Sequence, residues 1–330
     1  MDAREVHEQC EAVVDELSAA VVVDREVLDT ILTGFLSGGN VLLEDVPGTG
    51  KTLTARSFAT ALGLSFSRIQ FTPDLLPADV TGSPVFDERT NELEFRPGPM
   101  FANVVLADEI NRASPKTQSA LLEAMEEGQV TVDGDTHQLP EPFFLIATQN
   151  PVEQEGTFDL PEAQKDRFMV KTSLGYPDES GELTILDRRA DRAARTPTVS
   201  DVCSPAAIEA MRRAAEAVHV DRDVRLYMVR LCRATRDDSR VQTGVSPRGI
   251  QRLFEYARSL AVLRGRNYVT PDDVQDAAEP VLAHRLVLSS DARVDRVEKR
   301  DVVRDVVDDQ PVPTVSDTGQ PGTGARPEAE

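Results

Sequence analysis

The chain has no tryptophan and only three cysteines among its 330 residues. The cysteines, Cys10, Cys203 and Cys232, are far apart and odd in number, which excludes the framework of a disulfide-stabilised secreted domain. None of them is spaced with the four histidines as zinc ligands are. Isolated cysteines and histidines are structural or surface residues in most proteins, and we assign these no function.

The sequence also lacks any apolar run that approaches the roughly 18–20 residues required to span a bilayer. Residues 1–5 are charged and fit a helix, unlike the start of a signal peptide. Hydrophobic residues make up 40% of the chain and charged residues 28%, as in globular proteins. We therefore expect a cytoplasmic protein without membrane insertion. At 330 residues the chain is long enough for two domains, each with a core of its own.

Positive charge is scarce as well. The chain has 36 basic residues against 57 acidic ones, a net charge of −21. This balance disfavours nucleic acid as a partner, because binding to phosphates depends on clustered lysine and arginine. Few of the basic residues are lysines, and an acidic, lysine-poor surface would suit a cytoplasm of high salt. The alternative explanation of this composition is a genome that favours arginine codons, together with an acidic tail.

What the first half does contain is a regular alternation of apolar strand-like runs with helical periods. The runs at 40–43, 65–70, 104–107 and 143–148 predict a parallel sheet covered by helices. Beyond Pro177 only helical periods remain, with Ser-Pro and Thr-Pro pairs as start signals. The fold class is therefore α/β, an αβα parallel-sheet domain followed by a smaller, all-helical domain.

The predicted domain limits follow from this change in pattern. The αβα core covers residues 1–177, the helical domain 178–290, and an acidic, disordered tail 291–330. Two segments interrupt the core. One, at about 71–99, carries proline, glycine and a short strand pair, and the other, at about 128–139, is a hairpin turned by Asp-Gly.

A glycine-rich loop follows the first predicted strand, at residues 45–52. Gly48 and Gly50 allow backbone amides to turn towards phosphate oxygens, where a side chain would block them. The helix that starts near Lys51 points its N-terminus at the same anion. Lys51 is predicted to reach the β- and γ-phosphates of a nucleotide, and the Thr52 hydroxyl to bind Mg²⁺.

The same loop, which we call the phosphate loop, has one unusual residue. Asp45 stands where the common pattern G-x-x-x-x-G-K-[ST] has its first glycine. Pro47 stiffens the turn, and with Thr49 it completes the predicted nucleotide-binding set. A strand before the loop and a helix after it favour nucleotide binding over a purely structural turn.

Polar residues end two later strands. Asp108 and Glu109 follow the apolar run 104–107, at the end of a strand where open α/β sheets bind ligands. Asp108 is predicted to hold Mg²⁺ through its water shell, and Glu109 to deprotonate the attacking water. Asn150 follows the next strand and could bond both the γ-phosphate and that water; without the other motifs it would be a simple turn before proline.

Two arginines complete the candidate site. Arg167 follows a loop at a helix end, and Arg248 lies in the first turn of a helix in the second domain. A cation in that first turn opposes the helix dipole, so a functional role is more plausible than a structural one. Either arginine could neutralise charge on a transferring phosphate.

With these motifs in this order, the chain resembles the MoxR group of AAA+ ATPases. The resemblance rests on residues 107–127, then 147–151, 155–158 and 160–163, and it spans about residues 20–290. It implies a ring-forming, hexameric ATPase that uses ATP and Mg²⁺ to remodel partner proteins. It also implies a von Willebrand A-domain protein as partner, with the segments at 71–99 and 128–139 facing the ring pore or that partner.

The resemblance assigns a role to each candidate residue. The Walker A residues would be Lys51 and Thr52, and the Walker B residues Asp108 and Glu109. Sensor 1 would be Asn150, the arginine finger Arg167, and sensor 2 Arg248. ATP would lie between the core and the helical lid, and Arg167 would act on a neighbouring subunit's ATP.

The chain departs from the group's pattern in three places without losing a catalytic group: Asp45, Val23-Asp24-Arg25 where relatives often have Val-Gly-Gln, and Lys165 beside the arginine finger. Alternatives from the wider superfamily are the motor subunit of a magnesium chelatase and, less favoured by the charge, a nucleic-acid motor. A nucleotide-gated adaptor without hydrolysis is disfavoured, because every catalytic group is present.

Overall fold

The computed structural model describes residues 1–151, 160–194 and 196–313. Residues 155–158, which contribute to the resemblance, and residues 314–330 of the expected tail lie outside the described residues. The strands are β1 (Val41–Glu44), β2 (Phe66–Gln70), β3 (Gly82–Asp87), β4 (Glu92–Pro97), β5 (Val104–Asp108), β6 (Gln129–Val132), β7 (Asp135–Gln138), β8 (Phe144–Gln149), β9 (Val170–Thr172), β10 (Val241–Thr243) and β11 (Val287–Leu288). Five of them form the parallel central sheet, in the order β2-β5-β8-β1-β9, and the others form three antiparallel pairs.

Helices cover both faces of the sheet and build the second domain. They are α1 (Ala3–Ala20), α2 (Arg25–Leu36), α3 (Lys51–Ala61), α4 (Pro77–Thr81), α5 (Pro115–Glu127), α6 (Glu162–Lys165), α7 (Glu179–Asp191), α8 (Pro205–Glu216), α9 (Arg222–Asp237), α10 (Pro247–Leu263), α11 (Pro271–Leu282), α12 (Ser290–Val294) and α13 (Lys299–Asp309). The predicted α/β architecture, with a smaller and mainly helical domain after it, is confirmed. No helix within the described residues is long and apolar enough to cross a membrane.

The central strands are apolar throughout because both faces of the sheet are covered. All residues of β5 and β8 are buried, and successive side chains enter opposite layers. One layer is centred on Phe35, Phe58 and Phe144, whose rings lie between 5.2 and 5.5 Å apart. This packing fixes the carboxyl ends of β1, β5 and β8 side by side, which is where the polar motifs follow.

The two interrupting segments form hairpins. β3 pairs with β4, and β6 pairs with β7, each antiparallel and each within the range expected from the sequence. The hairpins contact each other where the rings of Phe95 and His137 stack, with centroids 3.6 Å apart. Phe86 and Leu93, which pair across β3 and β4, are exposed.

The second domain departs from the prediction in two ways. It contains the short antiparallel pair β10 and β11, so it is not entirely helical. Its hydrophobic core is also continuous with the layer of the sheet that α1 and α2 cover, so the two domains share one core. Serine and threonine side chains cap its helices at the predicted Ser-Pro and Thr-Pro pairs, as at Ser204, Ser246 and Thr270.

The prediction that a disordered tail starts at residue 291 is wrong for residues 291–309. This stretch contains α12 and α13, and α13 packs against α9 and α11. Val302, Val303 and Val306 are buried there. The charged residues between these valines lowered the mean hydropathy of the segment, whereas the helical spacing of the valines determined its structure.

Candidate functional site

The phosphate loop leaves β1 at Glu44 and enters α3 at Lys51. Gly48 and Gly50 have φ angles of +93° and +91°, a conformation that side chains disfavour. Gly50 is the residue immediately before α3, so the free amides of the first helical turn face the loop. The glycine turn and the helix N-terminus that follows it form a geometry suited to binding an anion.

Lys51 lies across the loop. Its Nζ donates hydrogen bonds to the carbonyl oxygens of Asp45, at 3.0 Å, and Val46, at 2.8 Å. Burial lowers the pKa of the Lys51 ammonium, while the nearby carboxylates oppose that shift. A cation that is partly withdrawn from water and held beside helix amides is suited to binding a phosphate anion.

The carboxylate of Asp45 points away from the loop, towards the segment after β9. It accepts hydrogen bonds from the Ser173 hydroxyl at 2.8 Å, the Leu174 amide at 2.7 Å and the Gly175 amide at 3.0 Å. Asp45 is 4% exposed, and its φ is not positive, so the backbone does not require glycine there. The residue that departs from the common pattern therefore connects the phosphate loop to the segment that leads into α7.

Both carboxylate oxygens of Asp108 are engaged. Oδ1 accepts a hydrogen bond from the Thr148 hydroxyl at 2.6 Å, and Oδ2 accepts one from Arg68 Nη2 at 2.6 Å. Thr148 belongs to β8 and Arg68 to β2, the two strands that flank β5. Sequence reasoning missed both residues, because only the strand order brings them to Asp108.

Glu109 has a φ of +59°, which is unusual for a residue with a side chain and occurs at strained functional positions. Its amide donates to the Thr148 hydroxyl at 2.9 Å. Its Oε2 accepts a hydrogen bond from Gln70 Nε2 at 2.9 Å and pairs with Arg112 Nε at 3.2 Å. Gln70, at the end of β2, was also missed by the sequence analysis.

These groups surround one cavity of about 440 Å³. Arg68, Gln70 and Thr148 contribute to its wall. The predicted site residues that line it are Pro47, Gly48, Gly50, Lys51, Thr52, Asp108, Glu109 and Asn150. The phosphate loop and the two strand ends therefore meet in a single space.

A second cavity, of about 230 Å³, lies on the other side of the phosphate loop. Thr49 lines it with residues 20–23, including Val23 of the Val-Asp-Arg departure, and Ile185 and Arg188 of α7 close it. Arg188 also donates hydrogen bonds to the carbonyl oxygens of residues 18, 19 and 21. This mostly apolar space is suited to a nucleotide base.

Arg167 and Arg248 line neither of these two cavities. They meet instead at Glu126, near the end of α5. Arg167 Nη1 lies 3.0 Å from Glu126 Oε2, and Arg248 Nη1 lies 2.7 Å from Glu126 Oε1. Of the described part of the second domain, only α7 and Arg192 directly after it border these two cavities, so Arg248 is not on the cavity side expected for it. Glu126 lies within residues 107–127, which contribute to the resemblance, but the sequence assigned it no role.

The residues present fit Mg²⁺ bound together with a nucleotide. Thr52 and Asp108 offer hydroxyl and carboxylate oxygens in the same cavity, and oxygen ligands are those that Mg²⁺ prefers. Within the described residues there is no group of three or more His, Cys, Asp or Glu residues that could hold a metal by themselves. Mg²⁺ usually binds through one or two side chains, with phosphates and water as its other ligands.

Comparisons with known proteins identify relatives of the whole chain. Residues 40–170 match the family described as ATPase family associated with various cellular activities (AAA), and residues 233–306 match the AAA lid domain. The chain is 47% identical to the uncharacterized protein YeaC of Bacillus subtilis, over 91% of this chain and 93% of that protein. It is 40% identical to Chaperone MoxR1 of Mycobacterium tuberculosis, over 98% of this chain and 88% of that protein. The crystal structure of a candidate ATPase from Cytophaga hutchinsonii is 36% identical, with a TM-score of 0.88, over 94% of this chain and 97% of that one.

Proposed function

The chain belongs to the MoxR family of AAA+ ATPases, and on that premise we propose that it hydrolyses ATP with Mg²⁺ to remodel or mature a partner protein. The observation that carries the proposal is the single cavity that contains the phosphate loop, Asp108 and Glu109. The base would lie in the neighbouring cavity beside α7, and the phosphates would extend over Gly48 and Gly50 to Lys51.

Mg²⁺ supplies charge neutralisation at the phosphates when it is bound. Thr52 and Asp108 would hold it, Asp108 through its water shell. Arg68 and Thr148 orient the Asp108 carboxylate, since each donates to one of its oxygens.

Glu109 is the proposed base. It accepts a proton from the water whose oxygen attacks the γ-phosphorus, as the bond to the bridging oxygen breaks and leaves ADP and phosphate. Gln70 and Arg112 hold its carboxylate in this structure, so the base must exchange these partners for water. Asn150, which lines the same cavity, would orient that water.

Arg167 and Arg248 would act on the ATP of a neighbouring subunit in a ring, which we propose to be hexameric. Their separation from the cavities of their own subunit supports this arrangement. Both would neutralise charge on the γ-phosphate in the transition state. A site that is complete only in the ring couples hydrolysis to movement between subunits.

The partner would be a protein, with a von Willebrand A-domain protein as the first candidate. The exposed Phe86 and Leu93 on the β3–β4 hairpin offer an apolar contact for it. The net charge of −21 disfavours nucleic acid as the substrate and is compatible with action in the cytoplasm.

Two substitutions test this function by ATP binding and phosphate release. Lys51→Ala should abolish ATP binding, because it removes the cation that holds the phosphates. Glu109→Gln should bind ATP but lower kcat by about 10²–10⁴-fold, the usual contribution of a general base. The exposed Lys116→Ala serves as the matched lysine control.

Normal turnover by the Glu109→Gln protein would refute the assignment of the base. The same variant, loaded with ATP, should also retain the partner in affinity capture, because the ring cannot proceed past the ATP state. Equal capture by the Lys51→Ala protein would argue against ATP-dependent remodelling.

A further inference from the structure

Glu126 forms ion pairs with both arginines proposed for the neighbour's ATP, one through each of its carboxylate oxygens. We propose that Glu126 is a positioning residue, which holds Arg167 and Arg248 as a pair for the γ-phosphate bound by the adjacent subunit. The inference rests on the proposed function and adds to it a residue that touches neither ATP nor Mg²⁺.

The three charged residues belong to elements that are far apart in the sequence. Glu126 lies in the last turn of α5, Arg167 follows α6, and Arg248 lies in the first turn of α10. Glu126 and Arg248 each carry the sign of charge that the helix dipole disfavours at that end. Each of these two charges is unfavourable for its own helix, yet the two form an ion pair. We infer that they are placed there for a reason other than helix stability.

The charge balance of the cluster suits an incoming anion. Two guanidinium groups repel each other, and a single carboxylate between them offsets that repulsion while leaving a net positive charge. The side chains of Arg167, Arg248 and Glu126 are 28%, 46% and 29% exposed, so the pair is open to solvent. Ion pairs that are this exposed stabilise a fold only slightly, so the cluster can be altered without unfolding the protein.

The backbone that carries Arg167 is held independently of Glu126. The neighbouring Asp166 pairs with Arg285 Nε at 3.0 Å and accepts from the Ser246 hydroxyl at 3.4 Å. Arg285 is buried and also donates to the carbonyl oxygen of Phe168 at 2.6 Å. Substitution of Glu126 should therefore release the two arginine side chains and leave the segment in place.

The test is Glu126→Gln, with Glu127→Gln as the matched control on the next, exposed residue. We expect Glu126→Gln to lower kcat for ATP about tenfold or more, since a well-placed arginine finger contributes about 10³–10⁵ to hydrolysis. The KM for ATP should change less than about twofold, because each subunit's own phosphate loop holds the nucleotide. The control should keep wild-type kcat, and all proteins should show equal thermal unfolding.

Mixed rings distinguish positioning in the neighbour from a structural defect. In a one-to-one mixture with Lys51→Ala, a Glu126→Gln subunit binds ATP while its Lys51→Ala neighbour provides a correctly held arginine pair. Random assembly should restore about a quarter of wild-type activity, because about one site in four then has both parts intact in a head-to-tail ring.

Unchanged or increased kcat in Glu126→Gln, a loss expressed only in KM, or a mixture without restored activity would each overturn this inference alone. A wild-type ring without ATPase activity would instead overturn the proposed function, and the positioning role with it.

Discussion

At the scale of single residues, Asp45 links the phosphate loop to the rest of the nucleotide site. Its buried carboxylate satisfies the backbone amides of Leu174 and Gly175, just before the chain enters α7. α7 in turn closes the cavity beside the loop through Ile185 and Arg188. One carboxylate thus joins the start of the loop to the helix that we expect to contact the nucleotide base.

Replacing Asp45 by the more common glycine should therefore weaken the fold but preserve nucleotide binding. The change leaves the buried Leu174 amide and the partly buried Gly175 amide without their acceptor, and the loss of an acceptor costs a buried donor about 1–3 kcal/mol. We expect Asp45→Gly to lower the free energy of unfolding by roughly 2–4 kcal/mol in urea denaturation. Binding of a fluorescent ATP analogue should stay within a few-fold of the wild type, because Gly48 and Gly50 form the phosphate turn.

Asp45→Asn, which keeps one acceptor oxygen, is the matched control and should lose less stability than the glycine variant. If Asp45→Gly loses ATP binding while remaining fully folded, the carboxylate has a direct role at the nucleotide, contrary to its position in this structure.

The residues of the site differ in how far the sequence could predict them. Lys51, Asp108 and Glu109 stand in local patterns whose spacing is tied to one strand and the turn after it. Arg68 and Gln70 belong to a strand that contacts these carboxylates only because β2 pairs with β5. Such partners depend on tertiary structure, which a single sequence does not display.

At the scale of elements, α13 shows why composition and periodicity can disagree. Its sequence is rich in charge, which favours disorder by composition. Its valines at 302, 303 and 306 nevertheless form an apolar stripe one turn apart, and that stripe is buried. A short helix gains most of its stability from packing, so periodicity was the better indicator here.

The packing of α13 predicts a measurable loss of stability from a small truncation. Val302 is 0% exposed, and Val302→Ala removes two buried methyl groups and leaves a cavity. We expect the free energy of unfolding to fall by about 2 kcal/mol, from roughly 0.8 kcal/mol per buried carbon plus a cavity cost. Val294→Ala, at a valine that is 81% exposed, should change it by less than about 0.5 kcal/mol. Equal effects of the two substitutions would show that α13 does not pack on the second domain in solution.

At the scale of the whole molecule, one hydrophobic core extends from α1 and α2 through the sheet into the second domain. The sequence predicted two domains because the pattern of strands ends at Pro177, but a change in pattern does not imply a separate core. Since apolar contacts cross the boundary, we expect the two domains to unfold together. Large independent rotations of the second domain are disfavoured by the same contacts.

The net charge of −21 lowers the stability of the folded molecule, because the surface carboxylates repel one another. Added salt shortens the screening distance from about 30 Å at 0.01 M to about 3 Å at 1 M, so repulsion between surface carboxylates should weaken over that range. We expect the unfolding temperature to rise steadily with KCl from 0.01 to 1 M. Differential scanning calorimetry measures this rise, and an equal concentration series of a neutral osmolyte separates screening from solvent exclusion. Full stability and ATPase activity at the lowest KCl would contradict adaptation to a high-salt cytoplasm, and would favour arginine codon usage as the origin of the composition.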